Sequence, residues 1–238
     1  MIQLPDLSCF YDPQCIGVNN TYSLPDHESH HALKVLRLKI DDEFLVSNGV
    51  GGIYLCRTIE VSRRDLIYLV IAKKVELKES MFKNTLACGV LGSQSRMEWM
   101  VEKLTEIGIN EIIFYHNKRS KRKNINLSRL NKATISALKQ SRKAFLPKIS
   151  EVEFEQLLEL KYACKLVAIC DENDYGHIVK HKEANNLILI GPEGDFSSDE
   201  INLLLRNDFK PCALGSERLR SETAALYALT CLNINSTP

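Results

Sequence analysis

The sequence has no apolar run long enough to span a bilayer, and its start, Met1-Ile2-Gln3-Leu4-Pro5-Asp6, lacks the basic region and apolar core of a signal peptide. Both absences lead to the expectation of a cytoplasmic protein. The eight cysteines show no Cys-x-x-Cys spacing and are scattered through expected strands, which argues against a disulfide framework and reads them as buried small hydrophobes. The cluster His27, His30 and His31 lacks the carboxylate or cysteine pattern that zinc needs, so no metal is expected and the histidines cover a small helix. Thirty-one Lys and Arg face thirty Asp and Glu, a net charge of +1, so no global field draws the chain to polyanions. A glycine fingerprint opening a helix is also missing: Gly49-Val50-Gly51-Gly52 precedes a strand, which excludes a dinucleotide site there.

What the net charge hides is its distribution. Lys118-Arg119-Ser120-Lys121-Arg122-Lys123 is a basic block without an acidic residue, and Lys139, Arg142, Lys143 and Lys148 follow it. Such a run is either a solvated loop or a phosphate-binding surface. A chain of 238 residues suits two domains. Residues 1–75 read as a small β-rich domain: an amphipathic helix over Ser29–Leu38 with Leu33 and Leu36 on its apolar face, then strands Phe44–Ser47, Ile53–Val61 and Leu66–Val75, with Asn48-Gly49 as a hairpin signal. A charged linker lies between Lys73 and Lys83. Residues 76–238 then alternate strand and helix, the mark of an α/β domain with a largely parallel sheet. Its strands are Thr85–Leu91, Glu111–Tyr115 and Lys165–Cys170. A helical stripe of Met97, Met100, Val101, Leu104 and Ile107 stops at Gly108, and Ser128 is expected to cap a helix through Lys143.

Two glycine turns organise the C-terminal part. The apolar run Leu187–Ile190, a buried parallel strand, drops into Gly191-Pro192-Glu193-Gly194-Asp195-Phe196, and Ser197-Ser198-Asp199-Glu200 supplies a capping box for a helix with Ile201, Leu204 and Leu205 on its apolar face. A second short strand, Lys210–Leu214, leads into Gly215-Ser216-Glu217-Arg218-Leu219-Arg220, with Ser221 able to cap the helix Glu222–Leu232. Ligands of open α/β sheets bind at the carboxyl ends of strands, where glycine lets backbone groups approach closely. A plain structural turn would look similar, but the charges Arg218, Arg220 and Glu222 at a helix start point to a site.

These motifs, Gly191–Phe196 and Leu214–Ala225, resemble the signature of the ribosomal RNA small subunit methyltransferase E family of the SPOUT superfamily. So do His30–Lys39 with Asp41-Asp42-Glu43, Arg96-Met97-Glu98-Trp99, Glu102–Gly108 and Gln140–Pro147, in the same order along nearly the whole chain. Two places depart from it: Gly92-Ser93-Gln94-Ser95 stands where many members have a lysine, and Asp195 replaces the second glycine of a commoner Gly-Gly pair. The resemblance implies a PUA-like RNA-binding barrel followed by an α/β domain with a deep C-terminal trefoil knot, and a homodimer packed through the knot. It implies methyl transfer from S-adenosyl-L-methionine to N3 of a uridine in 16S ribosomal RNA or the small subunit, without a metal or a membrane. A catalytically inactive RNA-binding protein of the same fold is the alternative.

By that resemblance Ile190, Gly191, Pro192, Glu193, Gly194, Leu214, Gly215, Leu219, Arg220 and Thr223 bind the methyl donor. Glu193 either takes a cofactor hydroxyl or braces the loop. Uracil N3 is a poor nucleophile until its proton leaves, so a fixed cation is needed for the anion on O2 and O4, and Arg220 is the candidate. Glu222 orients Arg220, accepts a proton, or caps the helix. The RNA-binding candidates are Arg37, Arg96, Lys103, Lys121, Arg122, Lys123 and Arg142; for Arg37 a surface salt bridge is the equal alternative.

Overall fold

The computed structural model describes all residues except 1–3, 79, 118–119, 121–123, 171–174, 181–182 and 237–238, so Lys121, Arg122 and Lys123 lie outside the described residues. The chain divides into two compact units, Met1–Glu79 with Ile135–Leu146, and Ser80–Thr134 with Pro147–Pro238. Among the described residues no helix is long and apolar enough to cross a membrane.

In the first unit, strands β1 (Cys9–Tyr11) and β2 (Thr21–Ser23), helix α1 (Asp26–His30) and strands β3 (Glu43–Ser47), β4 (Gly52–Val61) and β5 (Leu66–Glu76) build a five-stranded sheet of order β1-β3-β4-β5-β2. The β1–β3 pair is parallel and the others antiparallel. Period-two alternation puts Leu66, Tyr68 and Val70 inward against Phe10, Phe44 and Cys56. Three register shifts between β4 and β5 raise the twist of this ribbon. The Asn48-Gly49 signal is a turn as expected: Asn48 Oδ1 accepts from the backbone N–H of Val50 and Gly52 at 3.0 and 2.9 Å, and Gly49 has φ +73°. β1 and β2, three residues each, are too short to show an alternating pattern in sequence.

The expected helix Ser29–Leu38 is shorter and differently placed. α1 starts at Asp26, a π turn over His31–Val35 follows, and Arg37 adopts φ +57°, outside any helix and exposed. Because the π turn rotates the side chains away from the 3.6-residue period, Leu36 is exposed rather than packed. Residues 135–146 belong with this unit through backbone bonds: the N–H of Gly51 donates to the carbonyl of Ala144 at 2.8 Å, and that of Leu146 to Gly49 at 2.9 Å. Arg142, expected at RNA, donates instead to the carbonyl of Pro5 at 3.1 Å and to Asp6 at 2.7 Å.

The second unit runs β6 (Lys83–Gly89), α2 (Gln94–Ile107), β7 (Glu111–His116), α3 (Leu127–Ser141, its later part counted with the first unit), β8 (Lys148–Glu153), α4 (Phe154–Leu158), β9 (Cys164–Ala168), β10 (Asn185–Ile190), α5 (Ser198–Arg206), β11 (Phe209–Cys212) and α6 (Ser221–Ser236). All six strands are parallel, in the order β11-β9-β10-β6-β7-β8. Leu86, Cys88, Ile188 and Ile190 pack on one face with Met97, Met100 and Leu104 of α2 and Ala225, Ala228 and Leu229 of α6. Ala87, Leu187 and Leu189 pack on the other with Phe154, Leu157 and Leu204. Burial on both faces is why Leu187–Ile190 reads as an unbroken apolar run. Gly108, at φ +101°, stops α2 as expected, its N–H donating to Leu104 O at 3.0 Å.

Ser197 caps α5 in the expected capping box with Glu200, but Leu205 of the predicted apolar face is exposed. Asn126, not Ser128, caps α3: its Oδ1 accepts from the N–H of Arg129 at 3.0 Å, and Ser128 lies inside the first turn. Ser221 is the first residue of α6, whose first carbonyl acceptor is Arg220. At the amino ends of β6 and β10 the amides of Asn84, Asn186 and Asn233 form a chain of 2.9 Å bonds that anchors the far end of α6 to the sheet.

In the first unit, Asp12 is buried and its Oδ2 accepts from Tyr68 Oη at 2.7 Å. Tyr68→Phe leaves that oxygen without its donor and should cost about 1–3 kcal/mol, seen as a lower urea midpoint at unchanged slope. An unchanged midpoint would contradict the assignment.

Candidate active site

Strand order places the carboxyl ends of β11, β9 and β10 side by side, and the loops that follow them enclose a cavity of about 440 Å³. Its wall is Ala168–Cys170 after β9, Ile190–Glu193 and Asp195 after β10, and Leu214, Gly215 and Glu217–Ser221 after β11, closed by Ala224 of α6 and Arg96 of α2. The two glycine turns therefore come together. Of the predicted donor-binding residues, Ile190, Gly191, Pro192, Glu193, Leu214, Gly215, Leu219 and Arg220 line the cavity. Gly194, exposed on the turn, and Thr223, exposed on α6, do not. Ile169 and Cys170 are wall residues that sequence reasoning missed. The strand leading to them was legible, but its place between β11 and β10 was not.

The first turn is held by close approach. A Cβ on Gly89, at the end of β6, would meet the Pro192 ring and its nitrogen at 2.6 Å, so only glycine lets the loop cross there. Asp195 takes φ +58°, a conformation that aspartate tolerates better than most residues, which is how a carboxylate stands where glycine is commoner. Its Oδ1 accepts from the N–H of Phe196 at 2.8 Å. Phe196 lies parallel to Tyr115 at 6.4 Å, and Tyr115 Oη donates to the carbonyl of Ile190 at 2.9 Å. Burial holds the Tyr115 phenol well above its ordinary pKa, so it stays a donor. In the second turn Gly215 has φ +133°, a conformation that strains any residue with a side chain although there is open space for one.

Arg96, expected to face RNA, joins the two turns. Its Nε donates to Glu222 Oε1 at 2.9 Å, its Nη2 to Glu222 Oε2, and its Nη1 to Glu193 Oε1. Burial alone would raise the Glu222 carboxyl, but the Arg96 guanidinium, and beyond it Arg220, hold it below the ordinary carboxylate value. Glu222 is thus Arg96's partner at the start of α6 rather than a free acid. Arg218 and Arg220 line the same cavity, exposed, and neither makes an ion pair with a described residue. Lys103, expected at RNA, lies outside the cavity lining and donates to Glu102 and Glu106 at 2.8 Å each. Among the described residues no group of three His, Cys, Asp or Glu could hold a metal ion.

A doubly wound parallel sheet with a cavity at its carboxyl ends defines a class, and comparison gives it a chemistry. The chain matches the family model of an RNA methyltransferase domain over residues 78–233 and that of an RNA methyltransferase PUA domain over residues 24–71. It is 30% identical to a ribosomal RNA small subunit methyltransferase E of Bacillus subtilis, covering 90% of each chain. A solved structure of a probable rRNA-methyltransferase from Porphyromonas gingivalis is 35% identical with a TM-score of 0.84, over 94% of this chain and 96% of that one. A ribosomal RNA small subunit methyltransferase E from Neisseria gonorrhoeae, solved bound to S-adenosyl methionine, shares the fold at 24% identity, with a TM-score of 0.84 over 94% of this chain and 95% of that one. The chain belongs to the ribosomal RNA small subunit methyltransferase E family.

The lowered Glu222 pKa fixes a pH dependence. Its ion pair stabilises the fold fully above the ordinary carboxylate value, and that contribution is lost as pH falls through the lower folded value. Because Arg96 is partly solvated, Glu222→Gln should cost about 1–2 kcal/mol at neutral pH. The gap from the parent protein should shrink progressively as pH falls below ~4; a gap that stays constant or widens there would contradict the pairing.

Proposed function

We propose that the chain transfers a methyl group from S-adenosyl-L-methionine to N3 of a uridine in 16S ribosomal RNA, free or in the small subunit. One observation carries the reading: Arg220 stands exposed and without an ion-pair partner among the described residues on the wall of a cavity bounded by two glycine turns, while Glu193 and Glu222 are occupied by Arg96. A cavity of about 440 Å³ suits a ligand of nucleoside size. Ile169, Ile190, Leu214, Leu219 and Ala224 offer apolar walls for an adenosine, and the backbone of Gly191, Leu214, Gly215 and Leu219 offers polar edges. Glu193, on the same wall, is placed to meet a hydroxyl of the donor.

The bound donor's sulfonium supplies an already activated methyl group, so the chain's task is alignment and exclusion of water. Uracil N3 gives its proton to solvent water before it takes the methyl group, and Arg220 stabilises the negative charge that then spreads over O2 and O4. Since Glu222 is held ionised at low pKa by Arg96, it is a weak base and suits charge balance rather than proton transfer. N3 lies on the pairing edge, so the target base must be unpaired or turned outward. Arg37, exposed and outside any helix, is free to meet phosphate, and Lys121, Arg122 and Lys123 are assigned the same duty; Lys103 and Arg142 have acceptors of their own.

The reading includes a PUA-like RNA-binding barrel in residues 1–75, a trefoil-knotted domain in residues 76–238 that packs as a homodimer, and a cytoplasmic location with the ribosome. A catalytically silent RNA-binding role has no support: the cavity and its cation are in place, and the curated relatives carry an enzyme's name.

Purified protein given the donor with unmethylated small subunits, naked 16S RNA or transfer RNA should form 3-methyluridine in the ribosomal RNA. Methylated nucleoside in transfer RNA alone would overturn the assignment. Arg220→Ala should bind the donor nearly as well and lose about 10²–10³-fold in kcat; full turnover would remove it from the mechanism. Replacing Lys121, Arg122 and Lys123 with glutamine should flatten the salt dependence of RNA binding by about 0.7 per lost phosphate contact, and an unchanged slope would return them to solvent.

A further inference from the structure

Six charged side chains line the cavity, Arg96, Glu193, Asp195, Glu217, Arg218 and Arg220, and Glu222 at the start of α6 is bonded to the first of them. Glu193 and Glu222 share the single guanidinium of Arg96, which uses all three of its nitrogens on them. Glu217, Arg218 and Arg220 complete the wall, all exposed. Arg96 arrives from α2, Glu193 from the loop that follows β10 and Glu222 from the first turn of α6, so the pairing bridges three elements.

Arg220 is two residues from Glu222, and its charge is felt by that carboxyl. An arginine beside an unpaired carboxylate forms a bidentate pair with it, since the two groups match in geometry. Arg220 makes no such pair here; the two-pronged pairing of Glu222 is taken by Arg96, which donates to both of its oxygens. A Glu222 stripped of Arg96 would also disfavour negative charge on a uracil ring held at Arg220.

We infer that Arg96 is a positioning residue for methyl transfer: by occupying Glu222, two residues from Arg220, it keeps Arg220 uncaptured and available to the substrate. The inference rests on the uridine methylation assigned above. It differs from a simple brace, because a brace would be lost in any variant lacking the guanidinium, whereas charge balance is restored when the carboxylate leaves with it.

The test is steady-state and binding analysis of Arg96→Met, Glu222→Gln and the double variant, with thermal melts to verify folding. Arg96→Met should lower kcat about tenfold or more, the scale of coupling between contacting charges, with a much smaller change in donor affinity by calorimetry. The double variant Arg96→Met/Glu222→Gln should regain most of that loss. No loss in Arg96→Met, an equal loss of donor affinity and kcat, or a double variant as slow as Arg96→Met would each overturn the inference. Should Arg96→Met not fold, the charge-balanced double variant decides alone: turnover near that of the parent supports the inference, and failure to fold or to turn over defeats it. A parent protein that makes no methyluridine would instead sink the function itself, so the two failures are distinguishable.

Discussion

One guanidinium ties together three parts of the chain that arrive at the cavity from different directions. Arg96 stands on the first turn of α2, Glu193 on the loop after β10, and Glu222 on the first turn of α6. Each element is fixed by its own packing, α2 and α6 by apolar burial against one face of the sheet and the β10 loop by Gly89, Phe196 and Tyr115. What packing alone does not set is the charge at the mouth. Partly shielded from water, three ionised groups are worth more to one another than on an open surface, and leaving one without its partner would be costly.

The same arrangement connects fold to chemistry. A parallel sheet ends all its strands on one side, and the order β11-β9-β10 puts three of those ends together. Loops there carry backbone donors and acceptors that the sheet no longer uses. Two glycine turns make them approachable, Tyr115 occupies the Ile190 carbonyl, and Asp195 satisfies the next N–H itself. The result is a walled space with apolar sides and an exposed arginine, a suitable place to align a charged methyl donor with a base that must become an anion.

Much of this was legible in the residues because it depends on local rules. The apolar run at Leu187–Ile190, the stop at Gly108, the Ser197–Glu200 capping box and the turn at Asn48-Gly49 all follow from short-range geometry. The bringing together of the two glycine turns was also anticipated, from the strand ends they follow. Long-range facts were not. The partner of Arg96 lies 126 positions away, and nothing in the spacing tells an arginine on a helix start whether it faces RNA or a buried acid. Likewise, Arg142 sits in a basic stretch that reads as a phosphate surface, yet it holds the carbonyl of Pro5 and the Asp6 carboxylate. The π turn at His31–Val35 broke the helical period on which Arg37 was placed, and the contribution of Ile169 required knowing which strand lies between which.

The account depends on the space between the two glycine turns being where the methyl donor sits. Titration calorimetry with S-adenosyl-L-methionine on the parent protein and on Leu214→Trp, whose indole would fill that space, tests this most directly. Saturable binding by the parent, and none by the variant while its thermal melt stays cooperative, is the predicted result; equal binding by both proteins, or none by the folded parent, would contradict it.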